Sequence, residues 1–375
     1  MMPAPNMKDL PLSSLRQMSQ TAINENVIVQ ANLGLGQLSN KPPKVVINRL
    51  KQVIDESKHN GYTPNAGDKE VRTIIAQYVN KKLTKDNVII NVGAQQGIHA
   101  AIKGFVGEAD EVLIPEVRFP IYGVITERYS LGKPVFVKVD EQFNLDLEDL
   151  ESKINSRTKM LVLNSPNNPT GHVYSRDHLK AINKLLPEGV VVLSDEVYSC
   201  FVYEGEHVSI SEFNENTIVI NSLSKRAAIT GWRFGYTIAR KEIIDVLTPV
   251  QQYELTCPPS IIQQAVIPCF TSETVEYEVE VFNGLVHKRN IMLELAESYG
   301  FNYVNPKGAF YLMLDIKSYG QSKDVALKLL RDKGVMTMPG NAFGRSAEGY
   351  IRLSFASSED EIVKGMRLIN QCLNG

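Results

Sequence analysis

Short apolar runs alternate with helical patterns through the middle of the chain and leave few folds open to it. Runs rich in Val, Ile and Leu predict buried strands, and the amphipathic stretches between them predict helices. This alternation is typical of an α/β fold in which helices cover a mostly parallel sheet, here of the seven-stranded type. The predicted strands are 87–92, 111–114, 135–139, 160–163, 190–193, 217–220 and, at an edge, 235–238.

The two ends of the chain follow a different pattern and predict a second, smaller domain. At 375 residues the chain is long for one hydrophobic core, so two domains are expected. A helical pattern at 275–299 precedes separate strand-like runs and further helices, which indicate an α+β unit. We therefore predict a large domain at 40–275 and a small domain that combines an N-terminal arm, 1–39, with 276–375. The separate strand-like runs are 309–314, 335–338 and 350–354.

Composition and charge argue against several classes of protein. The formal net charge of -2 offers no attraction for nucleic acid or an anionic membrane, and no window is apolar enough to span a bilayer. The N-terminus lacks the apolar segment of a secretion signal, and the four cysteines form no C-x-x-C pair. The six histidines include no H-x-x-x-H pair. We therefore expect a cytoplasmic protein with reduced thiols, no metal site, no nucleic-acid partner and no membrane partner.

Four chemically useful positions each follow a different predicted strand: Gly93, Asn168, Asp195 and Lys225. Open parallel sheets bind their ligands outside the carboxyl ends of the strands. The fold is therefore expected to gather these residues on one rim of the sheet. Three of them also have ordinary alternative roles: Lys225 as a surface lysine, Asp195 as a helix N-cap and Gly93 as part of a plain strand–helix turn.

The pairing of Lys225 with Asp195 points to a particular cofactor. A lysine just beyond a buried strand can lose part of its hydration, which lowers its amine pKa as a Schiff-base nucleophile requires. A buried carboxylate needs a cation or strong donors. The protonated ring nitrogen of pyridoxal phosphate would meet that need on the same rim as a Schiff-base lysine.

Further residues have the chemistry to bind the rest of that cofactor. The Gly-Ala-Gln sequence at 93–95 opens a predicted helix and offers free backbone N–H groups to a phosphate. Phe119 follows another predicted strand, where it could stack on the cofactor ring or pack in the core. Hydroxyls and a guanidinium suited to phosphate come from Ser222, Ser224 and Arg233.

Arg352 lies inside the apolar, strand-like run 350–354. An arginine in such a position is rarely buried without a partner. One interpretation is a structural salt bridge, and the other is a bidentate clamp on the carboxylate of a bound ligand.

The sequence resembles the class I/II aminotransferases, the fold-type I pyridoxal-phosphate enzymes. The resemblance covers residues 32–356, most of the chain, and the motifs occur in the family's order. The matching motifs are Y-T-P-x-x-G at 62–67, N-P-T-G at 168–171, D-x-x-Y at 195–198, S-x-S-K at 222–225, G-W-R-x-G-Y at 231–236, P-G-x-x-F-G at 339–344 and I-R-L-S-F-A at 351–356.

The resemblance implies a role for each matching residue. Lys225 becomes the Schiff-base lysine, Asp195 the partner of the ring nitrogen and Phe119 the aromatic residue that stacks on the ring. The ring oxygen is expected to be bound by Asn168 and Tyr198. The phosphate is expected to be bound by Gly93, Ala94, Gln95, Ser222, Ser224 and Arg233. The substrate is expected to be bound by Gly36, Asn168 and Arg352.

The resemblance also implies an assembly and a reaction. In this family the residue that matches Tyr62 reaches the phosphate of the neighbouring subunit, which implies a homodimer with shared active sites. The implied reaction is ping-pong transamination between an L-amino acid and a 2-oxo acid, with Lys225 moving the proton. Two alternatives are a carbon–sulfur β-lyase on the same fold and a non-catalytic protein that binds pyridoxal phosphate.

The motifs do not define which amino acid is preferred. Gln95 stands where some aspartate-specific relatives carry a lysine, which argues against a dedicated aspartate enzyme. Arg118 could supply a distal cation or be a solvent-facing loop arginine, and Glu254 could face the pocket and disfavour acidic substrates.

Overall fold

The computed structural model describes residues 4–10 and 12–375, in which strands and helices alternate along most of the chain. The strands are β1 (Ala31–Asn32), β2 (Val88–Val92), β3 (Glu111–Pro115), β4 (Lys133–Val137), β5 (Thr158–Asn164), β6 (Val191–Asp195), β7 (Thr217–Ser222), β8 (Phe234–Ile238), β9 (Tyr303–Val304), β10 (Tyr311–Asp315), β11 (Val335–Met336), β12 (Met338–Pro339) and β13 (Tyr350–Ser354).

The helices surround these strands. They are α1 (Ser14–Asn24), α2 (Lys44–Glu56), α3 (Lys69–Val79), α4 (Ala94–Phe105), α5 (Ile121–Tyr129), α6 (Leu147–Lys153), α7 (Arg176–Leu185), α8 (Leu223–Arg226), α9 (Lys241–Leu255), α10 (Ser260–Ala265), α11 (Val275–Ser298), α12 (Ser322–Lys333) and α13 (Glu359–Leu373). Residues 1–3 and 11 of the predicted N-terminal arm lie outside the described residues.

The largest sheet has seven strands in the order β2-β8-β7-β6-β5-β3-β4. From β7 to β4 all neighbouring strands are parallel, and β8 is antiparallel to both of its neighbours. The prediction of an α/β fold with a mostly parallel seven-stranded sheet is confirmed. Such a sheet leaves the carboxyl ends of β5, β6 and β7 side by side, where ligands of open α/β sheets bind.

The prediction that 235–238 forms an edge strand is wrong. β8 lies between β2 and β7, and all five of its residues are buried. A parallel return would need a crossover of at least a dozen residues, usually with a helix that covers the sheet. Only the short α8 and a turn separate β7 from β8, so the chain returns antiparallel beside β7 and β2 takes the edge position.

A four-stranded antiparallel sheet, β12-β13-β10-β9, forms the centre of the C-terminal part. The predicted strand 335–338 is divided by Thr337, because β11 pairs in parallel with β1 while β12 pairs with β13. The N-terminal segment is therefore joined to the C-terminal part through β1. The domain limits at 39/40 and 275/276 remain predictions.

Apolar side chains cover both faces of the seven-stranded sheet and hold its strand ends in place. On one face Ile102 of α4 packs in a core with Val162 of β5, and on the other Ile182 of α7 packs with Leu163. Neighbouring strand residues point to opposite faces, so β5 contributes to both cores. Each fully buried Leu or Ile stabilises the fold by about 1.5–3 kcal/mol, so these two cores hold the strands that carry the rim.

Within residues 4–10 and 12–375, no helix is long and apolar enough to cross a membrane. No group of three or more His, Cys, Asp or Glu side chains in those residues could hold a metal ion.

Candidate active site

The loops after β5 and β6 are bonded to each other at the rim of the large sheet. Asn164 ends β5 and is in register with Asp195, which ends β6. The Asn164 side-chain amide donates to the Asp195 backbone carbonyl oxygen at 2.9 Å. Its Oδ1 accepts from the backbone N–H of Asn168, also at 2.9 Å. These bonds hold the loop that carries Asn168 against the end of β6.

Lys225 lies on α8, directly after β7, and is half-buried rather than on the open surface. Its Nζ donates a 2.5 Å hydrogen bond to the carbonyl oxygen of Gly36. Burial, and then the charges of Arg352 and Arg233, lower the pKa of Lys225 to about 8, against an opposing effect of Asp195. A substantial fraction of the amine is therefore neutral near pH 8, the form that can attack a carbonyl carbon.

Asp195 is 4% exposed, and the described residues give its carboxylate only neutral hydrogen-bond donors. Tyr122 Oη donates to its Oδ2 at 2.7 Å, and the backbone N–H of Val197 donates to Oδ1 at 3.3 Å. A turn follows Asp195, so the helix N-cap interpretation is wrong. Burial raises the pKa of Asp195 to about 6, because no cation close enough for an ion pair compensates the carboxylate among the described residues.

Tyr198 has a partner that the motifs did not indicate. Its hydroxyl oxygen lies 2.8 Å from that of Tyr311, and its ring packs edge-on against Phe310. Tyr311 stands in the predicted strand 309–314, among apolar residues. A tyrosine in a buried strand normally finds a hydrogen-bond partner, so the sequence held a signal for a buried polar contact without naming the partner.

Arg352 is 5% exposed, and its acceptors among the described residues are neutral oxygens. Its Nη1 donates to Asn168 Oδ1 at 2.8 Å and its Nη2 to the carbonyl oxygen of Gly34 at 2.6 Å, while Nε has no partner within residues 4–10 and 12–375. The guanidinium lies between the rings of Tyr311 and Phe343, 4.2 and 5.0 Å from their centroids. The structural salt bridge is thus absent from the described residues, and the cation remains available to a ligand carboxylate.

Gly93 and Arg233 meet at the amino-terminal end of α4. Gly93 is the N-cap, with a φ of 75°, and a Cβ added there would lie 2.4 Å from Arg233 Nη2. Arg233 itself has a φ of 56° and donates from Nη1 to the Thr230 carbonyl oxygen at 2.8 Å. The backbone can approach the guanidinium this closely only with glycine at position 93. The N–H groups at the start of α4 and the positive charge of Arg233 therefore lie next to each other.

The two serines of the S-x-S-K motif are buried beside α8. Ser222 Oγ lies 2.7 Å from Ser224 Oγ and accepts from the Ser224 backbone N–H at 2.9 Å. It also lies 2.9 Å from the Phe234 carbonyl oxygen. Within the chain these hydroxyls are bonded to one another, so phosphate binding by them stays a prediction.

Three other predicted residues lie at the periphery. Gln95 is exposed on the first turn of α4. Phe119 is half-buried, packs partly against the core and meets Tyr122 edge-on with ring centroids 6.2 Å apart. Tyr62 is 89% exposed and so is free to contact another molecule.

Neither residue considered for side-chain selectivity is free. Arg118 is half-buried, not solvent-facing: its guanidinium carbon lies 3.7 Å from the ring centroid of Phe136, and Nη1 donates to the Glu116 carbonyl oxygen. Burial lowers the pKa of Arg118 to about 10. Glu254 accepts a 3.0 Å hydrogen bond from Gln96 Nε2 and lies 2.7 Å from His99 Nδ1. Its carboxylate therefore links α9 to α4.

The uncompensated charges of the site fit pyridoxal phosphate and an amino-acid substrate. In the part of the chain that the structure describes, no cation pairs with the buried anion Asp195, as a protonated ring nitrogen requires. In the same part, Nε of the buried cation Arg352 has no partner, as a ligand carboxylate requires. Arg233 and the first backbone N–H groups of α4, at Ala94 and Gln95, suit a phosphate. Lys225 is coupled electrostatically to Asp195, Arg352 and Arg233.

Comparison with known proteins agrees with this chemistry. The family described as aminotransferase class I and II matches residues 28–367. A probable aspartate aminotransferase of Methanocaldococcus jannaschii is 32% identical over 97% of this chain and 98% of its own length. A probable N-acetyl-LL-diaminopimelate aminotransferase of Bacillus subtilis is 36% identical over 96% of this chain and 93% of its own length.

A solved structure gives the same result in three dimensions. The aspartate aminotransferase of Thermus thermophilus with maleate is similar over 100% of both chains, with a TM-score of 0.93 and 29% identity. With the sequence matches, it shows that this chain is an enzyme that transfers amino groups, with amino acids and 2-oxo acids as its substrates. The chain belongs to the class I and II aminotransferases.

Proposed function

We propose that this aminotransferase uses pyridoxal 5′-phosphate bound covalently to Lys225, and that it exchanges an L-amino acid and a 2-oxo acid in a ping-pong cycle. The family and its fold imply this cofactor. The observation that carries the proposal is the half-buried Lys225, whose pKa of about 8 is set by burial and by Arg352 and Arg233. When bound, the cofactor withdraws electrons from the substrate Cα through its ring.

In this proposal Asp195 binds the ring nitrogen of the cofactor and Arg352 binds the carboxylate of the substrate. Asp195 keeps the ring nitrogen protonated, because a buried carboxylate is stabilised by a neighbouring cation. Arg352 binds the substrate carboxylate, with Asn168 and the Gly34 carbonyl fixing the guanidinium. Exclusion of water from the buried clamp strengthens the ion pair and orients the substrate Cα.

Lys225 moves the proton in this proposal. Once the substrate amine has displaced its Nζ, the neutral lysine could take the proton from the substrate Cα. It would then return that proton to the cofactor carbon to which Nζ had been bonded, which leaves the lysine neutral again. The Gly36 carbonyl gives that amine a hydrogen-bonded resting position. A pKa near the working pH suits a group that must both accept and donate a proton.

The experiment that tests this role replaces Lys225 by Ala. We expect turnover to fall by 10²–10⁴-fold, the range for loss of a general base, together with loss of the visible absorbance band of lysine-bound cofactor. Lys180→Ala, at a half-exposed lysine on α7, is the matched control and is expected to keep both. A band that survived in the Lys225→Ala protein would refute the assignment.

The substrate is best identified by following amino-group transfer to the cofactor with single amino acids. The panel contains aspartate, an N-acetyl-diaminopimelate and an aromatic amino acid, because relatives at 32–36% identity carry these substrates in their names. Release of pyruvate and ammonia from a sulfur-containing amino acid without any 2-oxo acid would instead indicate the β-lyase reaction.

We propose further that the enzyme is a cytoplasmic homodimer in which Tyr62 of each subunit serves the other subunit's cofactor. The 89% exposure of Tyr62 and the four free cysteines support these two points. Mixing inactive Lys225→Ala with Tyr62→Ala protein tests the sharing. Half of the sites in each mixed dimer then have both native residues, so activity is expected to rise above the sum of the separate variants. With Tyr253→Ala, at an equally exposed tyrosine, in place of Tyr62→Ala, mixing is expected to add nothing.

A further inference from the structure

Tyr311 lies at the centre of the candidate site although none of the motifs assigned it a role. It is 1% exposed and begins β10. Pairing of β10 with β13 sets Tyr311 opposite Ser354, so Arg352 occupies the diagonal position on the same face of the sheet. The Tyr311 ring consequently packs against the Arg352 guanidinium, with the guanidinium carbon 4.2 Å from the ring centroid.

The hydroxyl of Tyr311 reaches two other parts of the site. It lies 2.8 Å from the hydroxyl oxygen of Tyr198. A Cβ added to Gly36 would lie only 2.2 Å from the same Tyr311 oxygen, and the Gly36 carbonyl accepts the hydrogen bond from Lys225. Under the proposed function, Tyr311 thus touches the carboxylate clamp, the ring-oxygen donor and the loop segment at Gly36 that accepts the hydrogen bond from Lys225.

The direction of the hydrogen bond between Tyr198 and Tyr311 matters because each hydroxyl has one proton. If Tyr198 donated to Tyr311, it would have no proton left for the ring oxygen of the cofactor. If Tyr311 donates, Tyr198 can donate onward, and bonds in such a chain strengthen one another. Burial raises the pKa of both hydroxyls, and the Arg352 cation acts to lower the pKa of both. Arg352 packs directly on the ring of Tyr311, so its positive charge favours Tyr311 as the donor.

We propose that Tyr311 is a positioning residue that links the carboxylate clamp to the ring-oxygen site. Its ring supports Arg352, and its hydroxyl donates to Tyr198 so that Tyr198 can donate to the ring oxygen of the cofactor. This proposal rests on the proposed function, since it requires the cofactor to be bound at Lys225 and Asp195.

The proposal predicts the sign of a spectroscopic change. A donor to the ring oxygen stabilises its negative charge, and that charge otherwise holds the proton on the nitrogen that joins Lys225 to the cofactor. Loss of the Tyr311 hydroxyl weakens donation by Tyr198. The proton is then held more tightly, so the pH midpoint of the cofactor's visible absorbance rises.

The first test titrates the absorbance of the loaded enzyme without substrate. Tyr311→Phe keeps the ring and removes the hydroxyl, and we expect its midpoint to rise by about 0.3–1 pH unit, the scale of one hydrogen bond. Tyr198→Phe, which removes the direct donor, is expected to give a larger rise. Tyr174→Phe, at a buried tyrosine that stacks on His178 and is absent from the proposed site, is expected to leave the midpoint unchanged.

A double variant separates a hydrogen-bond chain from a merely structural role. If Tyr311 acts through Tyr198, adding Tyr311→Phe to Tyr198→Phe produces no further rise. An equal rise in both backgrounds overturns the proposal, and so does an unchanged midpoint in Tyr311→Phe alone. A wild-type enzyme without a lysine-dependent band would overturn the proposed function and this inference together, whereas a normal band with no effect of Tyr311→Phe overturns only the inference.

A second test examines the ring through binding of a carboxylic acid that lacks an amino group, followed by the absorbance change. Tyr311→Phe keeps the ring against Arg352, so we expect its affinity for the acid to change less than about twofold. Tyr311→Leu removes the ring, and the affinity is expected to fall by about 3–30-fold, the range of a buried cation–π contact. Equal affinities in the Phe and Leu variants, with both thermal unfolding midpoints near that of the wild type, would overturn the supporting role of the ring.

Discussion

Asp195 and Arg352 are buried to nearly the same extent, 4% and 5% exposed, but they carry opposite charges and belong to different sheets. Asp195 ends β6 of the large sheet and accepts hydrogen bonds from Tyr122 and Val197. Arg352 lies inside β13 of the small sheet and donates to Asn168 and Gly34. Both charges have neutral partners where an ion pair would be expected.

The difference between them lies in how each responds to burial. Burial raises the pKa of Asp195 to about 6, so this anion can be neutralised within the physiological range. Burial also lowers the pKa of Arg352, but a guanidinium keeps its charge under ordinary conditions. In the proposed function the titratable charge faces the titratable ring nitrogen, and the permanent charge faces the carboxylate of an amino acid, which is ionised at neutral pH.

The largest effect in this comparison is expected on the anionic side. Asp195→Asn keeps the shape and can still accept from Tyr122, but it cannot hold a protonated ring nitrogen. We expect kcat to fall by about 10²–10³-fold, the range for loss of one preorganised electrostatic contact, with KM little changed. Steady-state kinetics with saturating cofactor measure this. Asp245→Asn, at an exposed position on α9, is the control. A comparable loss of kcat in that variant would contradict the role of Asp195 in holding the ring nitrogen.

A smaller effect is expected on the cationic side. Arg352→Lys keeps the charge and loses the forked geometry that binds a carboxylate with two parallel bonds. We expect kcat/KM to fall by roughly 10²-fold, most of it in KM, and the affinity for non-reacting carboxylic acids to fall in parallel. Arg345→Lys, at an exposed arginine nearby in sequence, is expected to behave as the wild type. A loss confined to kcat would contradict the clamp.

The third effect concerns folding of the cofactor-free protein and vanishes at low pH. A carboxyl whose pKa is raised to about 6 by folding binds more protons in the native than in the unfolded state between about pH 4 and 6. The stability contributed by this group is therefore present below pH 4 and is lost as the pH rises to 6. Asp195→Asn removes this dependence.

Urea unfolding of the cofactor-free wild type and Asp195→Asn proteins at several pH values measures the difference. The free energy of unfolding of the variant is expected to exceed that of the wild type by an amount that grows between pH 4 and 6 and reaches at most about 3 kcal/mol. Saturation with cofactor should shrink the gap, because the ring nitrogen compensates the carboxylate only in the wild type. A gap independent of pH would show that Asp195 is not an uncompensated charge.

Much of the large-sheet half of the site could be predicted from the sequence. Asn168, Asp195 and Lys225 each follow a short apolar run, and parallel strands bring their carboxyl ends to one rim. The motifs are short stretches of sequence, so they can be recognised without knowing the order of the strands in the sheet. The prediction of an edge strand at 235–238 was wrong because two features decide the strand order. The short connection from β7 places β8 directly beside β7, and β2 then pairs with the other side of β8 and takes the edge.

The small-sheet half was harder to predict because its contacts join distant parts of the chain. Arg352 was recognised as a charge in an apolar strand, but its position between Tyr311 and Phe343 follows from the packing of β10, β13 and the loop after β12. Arg118 likewise gave no sign in the sequence that it would pack on Phe136.

The sequence by itself determined the alternation of strands and helices, the family and the chemical types of the residues at the strand ends, because hydrophobic period and short motifs are local properties. Only the tertiary structure decided that Tyr198 pairs with Tyr311 and that Lys225 donates to Gly36. It also decided that two buried charges have no counterion in the part of the chain that the structure describes. Those relations depend on distance and on exclusion of water, which arise when segments far apart in the chain pack together.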